Sequence, residues 1–98
     1  MESEQHKEII NSVLQELKLN GYRVFDTRYA RPDLIAIKDN KLIAIEIMGR
    51  HYINGKGWKK GWSSSQKERR YLPLFDDLFI YEFRYKDLIN GFKYKRVR

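Results

Sequence analysis

Apolar positions recur along the chain in two rhythms. Over residues 3–19, Ile10, Val13, Leu14 and Leu17 fall at helical spacing with Ile9 at the edge of the stripe, which predicts an amphipathic helix. Ser3 is placed to cap it, Glu2 and Glu4 suit its positive end, and Asn20-Gly21 is a stop signal. His6, one turn before Ile10, reads as a helix-end residue packed over the core rather than a ligand. The period then shortens to two. Tyr22-Arg23-Val24-Phe25 begins a strand that ends near Thr27 or Arg28. Residues 31–48 are two β-branched runs joined by a tight polar turn, the pattern of a β-hairpin. A two-residue loop at Asp39-Asn40 pairs Lys38 with Lys41, and a four-residue loop closed by Ile37 and Leu42 gives the same register. Ile43, Ile45 and Ile47 then line one face, and Leu42, Ala44, Glu46 and Met48 the other. Strands apolar on both faces are central and covered.

Further on, Ser63-Ser64-Ser65-Gln66 offers capping boxes, Ser65 with Glu68 or Ser63 with Gln66. The helix they open runs through Leu72 and stops near Pro73. Leu78–Phe83 reads as a fourth strand, and Lys86–Asn90 as a short helical turn ended by Gly91. The basic tail, residues 92–98, either pairs as a last strand or follows a phosphate backbone. The predicted order is helix, three strands, helix, strand. That is an α/β fold with a mixed four-stranded sheet and helices on both sides.

Composition narrows the function. Ninety-eight residues, 42% hydrophobic and 34% charged, make a single globular domain, residues 1–98. With no cysteine, disulfides, thiolate catalysis and cysteine-ligated zinc are excluded, and two histidines leave little room for a histidine-rich metal site. No run reaches the length of a membrane span and no signal-peptide pattern opens the chain, so a cytoplasmic protein is expected. Charge is unevenly placed. Residues 1–48 carry 7 basic and 8 acidic side chains, net −1, and residues 49–98 carry 13 and 5, net +8, together the formal +7 of the chain. Residues 49–62 combine four glycines with Arg50, His51, Tyr52, Lys56, Trp58, Lys59, Lys60 and Trp62, which reads as a mobile basic loop. Basic and aromatic residues interleave there as in surfaces that hold phosphates and stack on bases. Arg50, Lys56, Lys59 and Lys60 are therefore candidate backbone contacts. Trp58 and Trp62 suit either a stacking surface or a cover for the sheet edge. The partner expected is a polyanion, DNA with RNA left open.

The hairpin carries the candidate chemistry. Counting back from the turn, Ile35 faces Ala44 and Asp33 faces Glu46, with Cβ atoms roughly 5 Å apart on one face. Like charges so placed repel, and a carboxylate in a covered strand is costly. A shared proton, a cation or a metal has to offset the repulsion. A divalent metal suits the hard oxygens.

Pro32-Asp33 opening the second strand and Glu46-Ile47-Met48 on the third, in this order of elements, resemble the PD-(D/E)XK nuclease superfamily. The nearest look is to small archaeal Holliday junction resolvases and related viral or restriction-type nucleases. The resemblance spans residues 3 to about 84 as architecture. It implies a metal-dependent endodeoxyribonuclease that binds Mg²⁺ or Mn²⁺ through Asp33, Glu46 and the backbone carbonyl of Ile47. In that family the helix after the third strand often presents a glutamine or lysine to the site, where Gln66 and Lys67 stand. The departure is Met48, which occupies the motif's lysine position. Some members move that lysine to a neighbouring element, and Lys67 is the candidate. Relatives often add an acid from the first helix. Glu8 is the candidate by position, but its place on the helical wheel points it to solvent. So small a chain is expected to grip a duplex as a homodimer. A non-catalytic nucleic-acid-binding protein with the same fold, or a subunit whose partner completes the site, is the alternative.

Overall fold

The computed structural model describes residues 4–27, 30–50, 52–53, 57–58, 64–84 and 94–98. Helix α1 spans Glu4–Leu19, followed by strands β1 (Arg23–Asp26), β2 (Leu34–Lys38) and β3 (Lys41–Arg50). Two short strands, β4 (Tyr52–Ile53) and β5 (Gly57–Trp58), pair with each other. Helix α2 (Ser64–Tyr71), β6 (Asp77–Arg84) and β7 (Tyr94–Arg96) complete the order. The fold is α/β. Its main sheet has five strands in the order β1-β2-β3-β6-β7, one more than the sequence pattern predicts. The extra strand is the tail. Tyr94 sits opposite Phe83 and packs on the core, so the tail has an apolar anchor that its basic composition hides.

The turn chemistry explains the β2–β3 hairpin. Asp39 and Asn40 both adopt positive φ, 52° and 62°, the backbone of a primed two-residue turn that these residue types tolerate. Lys38 pairs with Lys41 and Ile35 with Ala44. Gly21 takes φ +87° at the end of α1, where the chain reverses into β1. Strands β3 and β6 are parallel, with Glu46 opposite Ile80 and Ile47 opposite Tyr81. A parallel pair needs a crossover, and α2 lies in it.

The two faces of the sheet are covered differently. Ile9, Ile10, Val13 and Leu17 of α1 pack on Leu34, Ala36, Ile43, Ile45, Ile47, Phe79, Tyr81 and Phe83. On the other face Tyr71 of α2 packs with Ala44, Leu78 and Ile80, and Met48 and Phe75 close over them. Met48 is thus a packing residue of this smaller cluster. The segment read as a loop contains the end of β3 and the β4–β5 pair, with Tyr52 opposite Trp58. Lys56, Lys59, Lys60, Trp62 and the turn at Lys86–Asn90 lie outside the described residues. The backbones of Arg50 and Trp58 are described and their side chains are not. Among the described residues no helix is long and apolar enough to cross a membrane.

Candidate functional site: a carboxylate pair under α2

Asp33 lies one residue before β2, at the end of a tight passage. The Thr27 hydroxyl, one residue past β1, donates to the carbonyls of Pro32 and, at 3.1 Å, Asp33. Carried two residues past Leu34↔Ile45, the hairpin register sets Pro32 opposite Ile47. Proline has no N–H to offer the Ile47 carbonyl, so the ladder cannot continue there. Two side chains take over. The Ile47 N–H donates to Asp33 Oδ2 at 2.8 Å, and the Ile47 carbonyl lies 2.9 Å from Nε2 of His6. A carbonyl only accepts, so that ring nitrogen carries a proton. The His6 ring also lies 6.0 Å from that of Phe83, so it packs over the core as its place on the stripe predicts.

Glu46 points to the opposite face, under α2, and is buried. Lys67 Nζ is 3.4 Å from Glu46 Oε2, and both side chains are 7% exposed. The Tyr71 hydroxyl donates to Glu46 Oε1. Lys67 and Tyr71 are four residues apart, one helical turn, so α2 presents both to the same carboxylate. Gln66 stands about 100° round the helix from Lys67 and is exposed, as is Glu8 on α1. The structure therefore brings Asp33, Glu46, Ile47 and Lys67 to one place and leaves Gln66 and Glu8 on exposed positions.

Burial raises the Asp33 carboxyl from 3.8 to about 7. The Glu46 charge, and a hydrogen bond that protonated Asp33 donates to Glu46, add to the rise. The Ile47 N–H and the nearby His6 pull the other way. Burial, and then the bond to Glu46, raise the Tyr71 hydroxyl above the ordinary tyrosine range, so it stays a donor at neutral pH. The site thus holds a carboxyl group at Asp33 whose proton is retained toward neutrality, a second carboxyl group at Glu46, the Lys67 amine and a fixed phenol. Two carboxyl groups and a main-chain carbonyl form a hard-oxygen donor set of the kind Mg²⁺ and Mn²⁺ take, and a cation would offset both the burial of Asp33 and its repulsion by Glu46. Among the described residues no group of three or more His, Asp or Glu side chains forms a fuller metal cage.

Tyr71 is the site residue that the sequence pattern did not single out, and His6, read as a packing residue, also meets the site through the Ile47 carbonyl. Tyr71 had a readable signal, its four-residue spacing from Lys67. His6 had none, because its partner is a carbonyl 41 residues away. Neither a protein-family model nor a curated protein matches the chain.

Proposed function

We propose that the chain is a metal-dependent endodeoxyribonuclease built on the αβββαβ core of the PD-(D/E)XK superfamily, with branched or structured DNA as its substrate class. The observation that carries this reading is the 3.4 Å approach of Lys67 to Glu46, which puts an ammonium beside the acid pair although Met48 fills the motif's own lysine position. Asp33 and Glu46 hold Mg²⁺ or Mn²⁺ through carboxylate oxygens. The Ile47 carbonyl, which can accept a second bond beside that of His6, would complete the set. Mg²⁺ commonly takes only one or two carboxylates and completes its shell with water and substrate phosphate. When bound, the cation supplies Lewis-acid stabilisation of phosphoryl oxygens and a water of lowered pKa. Lys67, rather than the exposed Gln66, sets positive charge against the phosphate. Tyr71 fixes the orientation of Glu46. Arg50, Lys56, Lys59 and Lys60 hold the DNA backbone, with Trp58 against a base or sugar, and a homodimer supplies enough surface for a duplex. The reading places the protein in the cytoplasm, with DNA.

One observation favours a second reading. Glu46 is already met by Lys67 and Tyr71, and the Ile47 carbonyl by His6, so the site is balanced by the chain's own groups. That suits a nucleic-acid-binding protein of the same fold without catalysis, or a subunit that needs a partner. Calorimetric titration with Mg²⁺ and Mn²⁺, beside cleavage assays on junction and linear DNA, separates them. The nuclease reading expects metal binding and cleavage, both lost in Asp33→Ala. Cleavage that persists in Asp33→Ala, or DNA binding with no cleavage under either metal, overturns it.

A further inference from the structure

On the sheet face that α1 covers, a cavity of about 550 Å³ opens between the C-terminal half of α1 and β7. Small-molecule pockets run to roughly 300–1,000 Å³, so the size is that of a ligand site. It opens on the other face of the sheet from Glu46. Its floor, Phe79 and Tyr81, belongs to the α1-side core, whereas Glu46 turns to α2 on the other face.

The lining is aromatic and cationic together. Tyr22, Phe79, Tyr81 and Tyr94 contribute rings, in two edge-to-face pairs whose centroids are 5.9 Å apart. Lys38 and Arg96 contribute two positive charges against the single carboxylate of Glu16, while Lys95, between Tyr94 and Arg96 on β7, lines the cavity through its backbone. The guanidinium carbon of Arg96 lies 3.5 Å over the Phe79 ring, and Lys38 Nζ lies 4.6 Å over that of Tyr22. Glu16 accepts a hydrogen bond from the Tyr94 hydroxyl, which holds the carboxylate at the rim.

These features select a ligand class. A purely apolar molecule would meet a rim of charge, and a bare anion would make no use of the rings. A planar heterocycle carrying a phosphate uses both. Bases stack on aromatic rings and on guanidinium planes, and Arg96, backed by Phe79, offers such a plane. Lysines hold phosphate, and a carboxylate accepts from base N–H groups. We propose that this cavity binds a nucleoside phosphate unit, with the base stacked at Arg96 and the phosphate drawn to Lys38. A free nucleotide and a nucleotide within a single strand share that chemistry. The site shares no residue with the acid pair and does not depend on the nuclease reading.

The full chain is titrated, with NMR chemical shifts and calorimetry, against adenosine 5′-monophosphate, a short single-stranded oligodeoxynucleotide and its abasic counterpart. Saturable binding is expected, with shifts centred on Tyr22, Tyr81 and Arg96, and the abasic strand binds roughly tenfold more weakly than the intact one. Arg96→Lys keeps the charge but removes the plane, and lowers affinity for base-bearing probes by about the same factor. Lys38→Ala weakens intact and abasic strands alike, and Asp33→Ala changes neither. Binding of the mononucleotide assigns the free nucleotide, and binding of the strand alone assigns the strand unit. Equal affinity for intact and abasic strands without mononucleotide binding overturns the proposal, as does unchanged affinity in folded Arg96→Lys. Should a variant not fold, the wild-type shift map decides, and shifts centred elsewhere overturn it.

Discussion

Lys67 Nζ and Glu46 Oε2 stand 3.4 Å apart with both side chains withdrawn from water. A buried pair of this kind is a weak source of net stability, because two ions must be desolvated to form it. Breaking it from one side is costly, because the remaining charge has no counterion. Lys67→Met therefore lowers the unfolding free energy by about 3 kcal/mol, read from the denaturant midpoint. Pairing it with Glu46→Gln removes the stranded charge and recovers part of the loss. A double variant no more stable than Lys67→Met contradicts this account. On the nuclease reading, Lys67→Met also reduces cleavage by roughly a hundredfold or more, the scale of losing one group that stabilises developing charge.

Asp33 makes stability depend on pH. Its carboxyl is raised from 3.8 to about 7 in the fold. Below 3.8 both folded and unfolded chains hold the proton, and above about 7 both have lost it. Between these values the folded chain binds more protons, so stability falls as pH rises. The cumulative loss at this half-buried group is a few kcal/mol. Asp33→Asn cannot ionise and removes this component. Denaturation at about pH 4 and pH 7, compared between wild type and variant, measures it. An identical pH slope in the two proteins refutes the assignment. If the pair holds Mg²⁺, adding the ion at neutral pH raises the melting temperature of the wild type and leaves Asp33→Asn unchanged.

Arg98 ties three elements together. Its Nε donates to Glu68 Oε1 of α2 at 2.8 Å, and its Nη1 reaches Asp77 Oδ1 at 3.4 Å and the Leu78 carbonyl. The tail is thus pinned against the helix that carries Lys67. Partial exposure limits the value of these contacts, so Arg98→Ala costs about 1 kcal/mol. For a domain of this size that is a fall of roughly 4–8 °C in melting temperature. Added salt narrows the gap between wild type and variant. A gap that does not change with salt would assign the effect to packing of the arginine stem instead.

Much of this was legible in residue order. The stripe of Ile10, Val13 and Leu17 fixed a one-sided helix, and it docks on that side. The turn at Asp39-Asn40 and the period of two fixed the hairpin register from Lys38↔Lys41 to Leu34↔Ile45, and so brought Asp33 close to Glu46. These are local relations, set by backbone geometry over a few residues. Other features were not local. The tail's place as a fifth strand rests on Tyr94 meeting the core, against a charge pattern that reads equally as a nucleic-acid arm. The groups around Glu46 and Ile47 come from 25 and 41 residues away. Whether Lys67 or Gln66 turns inward depends on how α2 is rotated in the β3–β6 crossover, and one residue shifts that by about 100°. The sequence alone determined that two carboxyl groups would meet beside the hairpin. Docking of α1 and α2 on opposite sides of the sheet decided which groups meet them, because only packing sets a helix's phase against a strand it does not adjoin in the chain.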